Sequence, residues 1–222
     1  MIIQINHRLT GKLLFEAQDS TLAQAITAAN KKLIEARRYS EDGHFLGQSY
    51  QTLNLQGANL AGADLRGAEL SSIDLSQADL QGADLRQTRL WLTGLYGADL
   101  RGADLREANL EGAGWDLSEQ PNSKALLTGA NFTGCHLGMS WSSHLLLTEL
   151  LRQAAGLDPQ KQRAGEFIPR WDSPQNMNRI NWRAWEASDY PLKAWSLDVL
   201  STYVHKEDDT LSRMLRNHTC RT

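Results

Sequence analysis

The chain has 222 residues, with 23 basic and 26 acidic side chains, which leaves room for one large unit or two to three small ones. The nearly balanced charge argues against general nucleic-acid affinity and against a polyanionic tail. Cys135 and Cys220 lie far apart without metal-ligand spacing, so we expect reduced thiols in a cytoplasmic protein, with one disulfide as the alternative. No apolar run reaches the length of a signal-peptide core or a membrane span, so we expect neither export nor membrane insertion.

Residues 1–42 differ in pattern from the rest of the chain and are predicted to cap one end of the fold. Two short apolar segments, 2–5 and 12–15, flank turn residues and predict a β-hairpin. The apolar stripe of the helix predicted after it consists of Leu22, Ile26, Ala29 and Leu33. A hairpin and a helix would cover the open end of a repeat structure, so we expect a small α+β cap here rather than an independent functional domain.

From residue 51 to residue 115 the sequence repeats with a period of five. The repeated leucines are Leu55, Leu60, Leu65, Leu70, Leu75, Leu80, Leu85, Leu90, Leu95, Leu100, Leu105 and Leu110. A small or β-branched residue stands two places before most of them, usually with Asp or Asn in between. This period fits neither a helix nor a strand. It indicates a solenoid, in which each unit covers its apolar face by stacking on the next.

Segments such as GANLAGADLRGAEL and GADLRGADLREANL write out the motif A(D/N)LxG, and on this motif the chain resembles the pentapeptide-repeat proteins. The resemblance implies a mainly β fold, a right-handed quadrilateral β-helix with one pentad on each side. It also implies that the central leucine and the small residue two places before it point inward, while the other three positions point outward. The resemblance is specific for fold only, because one fold can serve many functions.

The β-helix is predicted to span residues 43–140 with one interruption. After Trp115 the five-residue phase is lost, and pentads return around Leu127 and Phe132, two residues out of phase with the earlier set. An insertion that leaves the repeat itself intact explains such a shift. We therefore expect a loop near residues 118–124 that bulges from one corner of the β-helix.

Residues 141–222 change to a helical pattern and are predicted to form an α-helical C-terminal domain. Helices are expected at 144–155, 159–167, 178–187 and 191–203. The inward side of the fourth helix is predicted to consist of Leu192, Trp195, Val199, Leu200 and Val204. Five of the seven Trp residues fall in this part of the chain, which is enough apolar bulk for a small helical core docked on the last coil.

Arg66, Arg86 and Arg106 lie twenty residues apart and are predicted to form a ladder with about 4.8 Å between neighbours. The aspartates two positions before them would form a parallel ladder on the same face. The functional interpretation is an anion-binding stripe, which makes the three arginines candidate partner-binding residues. The interpretation that we favour is that the two ladders neutralise each other.

Trp91, Leu92 and Tyr96 hold outward positions where other coils carry residues such as Ser71 and Ser76. Three large apolar side chains on one solenoid surface are expected to be covered. The cover could come from the chain's own terminal parts, from a second copy in a homodimer, or from a partner. Cover within the chain is the slightly favoured alternative, and the three residues are our remaining candidates for partner binding.

Catalysis has almost no support in the sequence. The six His residues are scattered without the spacing of a metal site, and the Gly11-Lys12 pair lacks the upstream glycine of a phosphate loop. We therefore expect no enzyme, no cofactor and no metal. The chain is interpreted as a non-enzymatic protein-interaction module, a rigid β-helix that presents side-chain ladders and a helical domain to a protein partner of unknown identity.

The alternative function comes from the resemblance, because some pentapeptide-repeat proteins imitate duplex DNA and bind DNA gyrase. Residues 51–115 contain nine acidic and five basic side chains, a net charge of −4, on a β-helix of about 15 Å. Duplex DNA of that length carries about nine charges, so the net charge density here is under half that of DNA. The sequence therefore favours the interaction module, and we expect no direct binding of nucleic acid by the chain.

Overall fold

The fold is given by a computed structural model, which describes part of the chain. The described residues are 1–18, 21–36, 53–115, 125–133, 135, 144–168, 184 and 189–202. Their elements are, in order, β1 (Ile2–Asn6), β2 (Leu13–Gln18), α1 (Leu22–Ala36), α2 (His144–Ala154), α3 (Pro159–Gln162), a 3₁₀ helix (Ala164–Phe167) and α4 (Lys193–Ser201). None of the helices in these stretches combines the length and the apolar character that crossing a membrane requires.

Residues 53–115 wind into successive coils. Parallel bridges join Asn54 to Asp74, Asp74 to Gly94 and Gly94 to Gly114, and three further columns of bridges repeat this twenty-residue spacing. Each coil therefore contains four pentads, and each pentad contributes one short strand-like segment to a column. The solenoid that the five-residue period predicts and the repeat β-helix that the resemblance implies are confirmed.

The interior of the β-helix is filled by the repeated leucines. From Leu55 to Leu110, none of them is more than 3% exposed. Burying one such side chain stabilises a fold by about 1.5–3 kcal/mol. The buried leucines together therefore make a large contribution to the stability of the coils. Thr93 takes the small inward position in its pentad, where its hydroxyl donates to the carbonyl of Leu70 at 2.7 Å. Ala63, in the first described coil, departs from the pattern and is only half-buried.

Each pentad ends in a corner, two residues after its leucine. The backbone at this position has a positive φ in all of the pentads from Leu55 to Leu110. Glycine adopts this left-handed conformation without the steric cost that other residues incur. The recurrence of glycine in the motif therefore marks the corners of the coil.

The strands β1 and β2 pair antiparallel and dock on the edge of the first described coil. The N–H of Asn59 donates to the carbonyl of Asn6 at 2.8 Å, and the N–H of Arg8 donates to the carbonyl of Gly57 at 2.7 Å. These bonds extend the β-helix ladder to the N-terminal hairpin. The hairpin thus supplies partners to backbone groups that would otherwise form an open edge.

Helix α1 supplies partners to another part of the same edge. The Nδ2 of Asn30 donates to the carbonyls of Glu69 and Ser71 at 3.1 and 3.0 Å. The hydroxyl of Thr27 accepts a hydrogen bond from the N–H of Glu69 at 2.9 Å. Side chains of α1 therefore replace the hydrogen bonds that a preceding coil would make.

These contacts change the predicted orientation of α1. Ile26 is buried as predicted, whereas Leu22, Ala29 and Leu33 are only half-buried. The fully buried polar residue is Asn30, which the apolar stripe did not include. Compared with the prediction, the helix is rotated so that Asn30 faces the edge of the coil. The edge presents backbone carbonyl groups, and a hydrogen-bond donor stabilises them more than a further apolar contact would.

The β-helix is interrupted between Trp115 and Ala125. The bridge from Asp99 to Leu126 spans 27 residues instead of twenty, so this coil contains seven additional residues, one pentad plus the two-residue phase shift. The N–H of Ala125 donates to the carbonyl of Trp115 at 2.9 Å, which holds the two ends of the insertion together. The additional residues fall where the five-residue phase shifts, and the predicted loop at 118–124 itself lies outside the described residues.

Helix α2 packs on the last described coil. Its buried residues include Leu146, Leu147, Leu150 and Leu151. The Nε2 of Gln153 donates to the carbonyl of Ala130 at 2.7 Å, so α2 also satisfies a backbone group of that coil. The helix ends one residue before the predicted boundary, and Gly156 follows with a φ of 55°, the left-handed conformation expected after a helix.

The second predicted C-terminal helix, 159–167, is divided into α3 and the 3₁₀ helix. Asp158 caps α3 by accepting the N–H groups of Gln160 and Lys161. The buried Gly165 lies directly against Thr148 of α2, where an added side chain would clash. The 3₁₀ segment therefore packs against α2 at a distance that only glycine allows.

Helix α4 differs from the prediction in which side it buries. Ser196, Leu197 and Leu200 are buried, whereas Leu192, Trp195 and Val199 are half-buried. Trp195 instead lies beneath the Nζ of Lys161, 5.4 Å from its ring centroid, which keeps the indole near the surface. Val204 and, apart from Ala184, the helix predicted at 178–187 lie outside the described residues.

Candidate functional site

The arginine ladder is built as the twenty-residue spacing predicts. Each arginine forms a two-point ion pair with the aspartate two residues before it; for Arg86 and Asp84 the distances are 2.8 and 2.6 Å. The Nε of Arg66 also lies 3.3 Å from Asp84, and the Nε of Arg86 lies 3.6 Å from Asp104. The three pentads are thus linked into one chain of alternating charges.

This pairing is reflected in the acid–base properties of the ladder. Hydrogen bonds from the Arg86 side chain hold the pKa of Asp84 below its usual value, and the pKa values of Asp64 and Asp104 are lowered by their own arginines in the same way. The guanidinium groups are already occupied by carboxylates, so an added anion would have to compete with them. The geometry supports self-neutralisation and gives Arg66, Arg86 and Arg106 little capacity to bind a further anion.

Trp91, Leu92 and Tyr96, here called the aromatic corner, lie on other columns of the β-helix. Trp91 is 44% exposed and Leu92 is 45% exposed, while Tyr96 is half-buried. The arginine ladder follows the column from Asp64 to Asp104, whereas the aromatic corner flanks the columns of Arg89 and Gly94. The structure therefore separates the candidate residues into two surfaces.

Leu92 combines two unfavourable features. It occupies a pentad corner with a φ of 53°, which costs a non-glycine residue about 1–2 kcal/mol. Its side chain is also largely exposed, apart from contact of Cδ2 with the bare backbone of Gly112 one coil further on. The corner conformation is shared with Ser72, Gln77, Gln87 and Glu107, so the exposed apolar side chain is the feature that distinguishes Leu92 from other non-glycine corners.

Tyr96 lies flat on the wall of the β-helix because glycines make room for it. A side chain added at Gly114 would overlap the phenol ring, and one added at Gly94 would lie 3.6 Å from Tyr96 Cε2. Both glycines occupy the position where the motif has Asp or Asn. The sequence analysis missed them, although their twenty-residue separation is a signal that places both beside Tyr96.

A second concave surface lies in the C-terminal region. A groove of about 530 Å³ is lined by Pro159, Gln160, Arg163, Phe167, Tyr190, Pro191 and Leu192. Phe167 stacks on Tyr190 with ring centroids 5.0 Å apart, and burial together with the charge of Glu166 raises the pKa of the Tyr190 phenol. The lining is largely apolar and aromatic, which is the character of a surface that binds an apolar group.

Metal-binding chemistry has no candidate in the described part of the chain. There, no group of His, Cys, Asp and Glu side chains is placed to hold a metal ion. Cys135 is buried, and burial raises the pKa of its thiol to about 12, so it is the inert structural type of cysteine. Its Sγ donates to the carbonyl of Leu105, in line with the inward position of this residue in its pentad.

Comparison with known proteins agrees with the repeat pattern. A family model for pentapeptide repeats matches eight copies, over residues 54–91 and 95–113. The gap between the two matched segments is residues 92–94, so it contains Leu92 and Gly94, while Trp91 and Tyr96 lie inside the matched segments. A comparison with curated proteins gives no match.

Several solved structures are similar to this chain. It is 35% identical to alr5209, a pentapeptide repeat protein from Nostoc Pcc 7120, over 55% of this chain and 80% of that chain, with a TM-score of 0.28. It is 32% identical to the pentapeptide repeat protein Rfr23 from the cyanobacterium Cyanothece 51142, over 37% of this chain and 54% of that chain, with a TM-score of 0.25. This chain therefore spans about half the length of Rfr23.

A third structure is QnrB1, a plasmid-mediated fluoroquinolone resistance protein. The identity is 25%, over 35% of this chain and 39% of that chain, with a TM-score of 0.14. All three TM-scores are too low for the superpositions to carry an argument. The relationship rests on the repeat model and on the sequence identity with alr5209.

Proposed function

This chain belongs to the pentapeptide-repeat proteins, and we propose that it is a non-enzymatic scaffold that binds a protein partner through the aromatic corner. Proteins of this family are generally structural or interaction modules. A stack of coils with a packed interior is rigid, and it holds surface side chains at fixed spacing. Such a surface suits recognition, where pre-ordered contacts reduce the entropy cost of binding.

The proposed architecture has three parts. Residues 1–42 form an α+β cap, residues 43–140 form a right-handed, four-sided β-helix, and residues 141–222 form an α-helical domain. The hydrogen bonds of the N-terminal hairpin, of Asn30 and of Gln153 with the coils support this division. In this arrangement the two terminal parts cover the ends of the β-helix and leave its walls available for a partner.

The observation that carries the proposal is the exposure of Trp91 and Leu92. Large apolar residues on a solenoid wall are expected to be covered, yet both residues keep more than two-fifths of their surface exposed. Leu92 places an apolar side chain at a corner where the other non-glycine residues, Ser72, Gln77, Gln87 and Glu107, are polar. Residues that lower stability without serving the fold are characteristic of functional sites.

Imitation of DNA is the less favoured function. A DNA mimic must present unpaired negative charge at the density of a duplex. Here the aspartates of the longest acidic column, Asp64, Asp84 and Asp104, each form an ion pair with an arginine. The arginines therefore neutralise the charge of the acidic column. A surface of this kind is better suited to a protein partner that does not bind DNA than to one that does.

The cytoplasmic location stays a prediction from the cysteines.

Site-specific photo-crosslinking in the native cells tests the proposal. Benzoylphenylalanine in place of Trp91 should yield a discrete crosslinked protein. The matched control is the same replacement at Gln81. Gln81 is exposed and follows the leucine of its pentad, as Trp91 does, but it lies on another wall of the β-helix. A product from position 91 alone supports the proposal. Equal labelling at both positions, or none at position 91, would contradict it.

A further inference from the structure

We propose that the aromatic corner recognises a basic amphipathic segment of its partner, with an apolar residue anchored on Trp91 and Leu92 and flanking Lys or Arg side chains bound by Asp74 and Glu111. This inference rests on the proposed function, and it specifies the chemistry of the partner at the same surface. It follows from where the unpaired carboxylates of the β-helix lie.

Among the described residues, some carboxylates of the β-helix are paired with arginine and others are not, and the unpaired ones include Asp79 and Glu107 on other walls as well as the two beside the aromatic corner. Asp64, Asp84, Asp99 and Asp104 each form an ion pair with the arginine two residues further on. Asp74 is followed at that position by Ser76, and Asn109 is followed by Glu111. Within the described stretches neither Asp74 nor Glu111 forms an ion pair with a basic side chain. The columns that carry the aromatic corner thus differ from the neutralised ladder.

Both carboxylates adjoin the corner. A side chain added at Gly94 would lie 3.4 Å from Asp74 Oδ1 and 3.6 Å from Tyr96 Cε2, so the carboxylate and the ring edge flank the same bare Cα. Glu111 holds the position of Trp91 one coil further on, where its carbonyl accepts the N–H of Leu92 at 2.9 Å. Asp74 and Glu111 therefore belong to the coils on either side of the coil that carries Trp91 and Leu92.

The net charge of this surface selects the kind of partner. Asp74, Glu111 and Glu69 contribute three negative charges, and Arg89 contributes one positive charge, which pairs with Glu69 at 3.3 Å. Two negative charges therefore surround the exposed apolar residues. A second copy docked by two-fold symmetry would place like charges opposite each other, and nucleic acid would be repelled. A basic segment matches both the charge and the apolar anchor.

The test uses two synthetic fluorescein-labelled peptides of about 15 residues, or four helical turns. Both carry the same leucines on one face, and their polar positions are all Lys in one peptide and all Glu in the other. Fluorescence anisotropy with the full chain should show binding of the Lys peptide only. The binding should weaken as salt rises from about 0.05 to about 0.3 M, because screening shortens the range of charge attraction.

Variants assign the binding to the corner. Asp74→Asn with Glu111→Gln should weaken binding of the Lys peptide about tenfold, since two contacts of moderate strength are lost. Trp91→Ser should weaken it at least as much. The control, Asp79→Asn with Glu107→Gln, removes the same two charges from other walls and should change the affinity less than about twofold.

Three results would overturn the inference. These are equal weakening by the control pair, equal binding of the Glu peptide, and no binding of the Lys peptide. A crosslink from position 91 to a protein without a basic amphipathic segment would also overturn it while leaving the proposed function in place. Absence of any crosslink from position 91 would instead remove the proposed function itself.

Discussion

Single residues in this protein are governed by their place in the pentad. The neighbours Leu85 and Arg86 show the contrast, because the leucine is fully buried and the arginine is part of the surface ladder. Position alone decides whether a side chain contributes packing energy or a screened surface charge. This rule holds for the interior without exception among the repeated leucines from Leu55 to Leu110.

The first prediction comes from that contrast. Leu85→Ala should lower the free energy of unfolding by about 2–5 kcal/mol, because it leaves a cavity in the packed interior. Arg86→Ala should lower it by less than about 1 kcal/mol, the usual worth of an exposed ion pair. Urea unfolding followed by circular dichroism measures both. Equal losses for the two variants would show that the inward and outward positions are assigned wrongly.

The second prediction concerns acid. Hydrogen bonds from Arg101 hold the pKa of Asp99 below its usual value of 3.8, and this carboxylate is only 6% exposed. A carboxyl whose pKa is lower in the folded state contributes stability above its unfolded pKa and loses it as pH falls through the folded value. Stability should therefore decline as pH falls below about 4.

The matched variant for the acid prediction is Arg101→Gln. It removes the cause of the pKa shift, so its stability should fall less steeply than that of the wild type over the same acid range. Thermal melts at a series of pH values between neutral and strongly acidic compare the two slopes. Parallel curves would mean that the Asp99–Arg101 pair has no part in acid sensitivity.

At the scale of elements, the terminal parts dock by polar contacts as well as by apolar packing. Asn30 of α1 bonds to two carbonyls of the first described coil, and Gln153 of α2 bonds to one carbonyl near the last. Backbone groups at the end of a solenoid have no next coil to bind. Side-chain amides on the flanking helices take over that role.

The third prediction tests this arrangement. Asn30→Leu should lower the free energy of unfolding by about 1–3 kcal/mol, because it buries two carbonyls without a donor. Lys32→Leu, at an exposed position of the same helix, serves as the control and should change stability by less than about 0.5 kcal/mol. Hydrogen exchange should show faster opening of α1 in the Asn30 variant only. Similar stability for both variants would contradict the polar docking of α1.

The elements differ in how well the sequence predicts them. The coils, the insertion after Trp115 and the extent of α2 follow from local periodicity, which is present in a single stretch of chain. The rotations of α1 and α4 do not, because the polar role of Asn30 and the contact of Trp195 with Lys161 depend on the neighbouring element. Apolar spacing alone assigns such residues to the wrong side.

The candidate site shows the same division. Exposure of Trp91 and Leu92 follows from their outward positions in the pentad. The roles of Gly114 and Asp74 are visible only when the sequence is arranged coil by coil, because Gly114 lies against Tyr96, and Asp74 against Gly94, from neighbouring coils. A column is a feature of the fold and not of adjacent residues, so reading along the chain overlooks it.

On the scale of the whole molecule, the distribution of charge is the observation on which the proposed interaction module and the imitation of DNA differ. The fourth prediction is that the protein, added in micromolar amounts, leaves the supercoiling activity of DNA gyrase unchanged, because the Asp64–Asp104 column is neutralised by arginines. A gel assay of plasmid supercoiling measures this. The variant with all three ladder arginines changed to Gln is an internal comparison, since it uncovers the acidic column. Strong inhibition of gyrase by the wild-type protein would contradict this prediction and support imitation of DNA as the function.

The claim that the aromatic corner serves recognition and not folding is tested most directly by one paired measurement on Trp91→Ser with Leu92→Gly. Two quantities are measured on the same preparation of this variant and compared with the wild type. One is the free energy of unfolding. The other is the amount of partner that the protein retains, where the partner is the protein identified by crosslinking from position 91 in native cells. We predict that partner retention is lost while the free energy of unfolding changes by less than about 1 kcal/mol, since strain at Leu92 is relieved as its contact with Gly112 is lost. Full partner retention, or unfolding of the variant, would contradict the account and make the corner part of the fold.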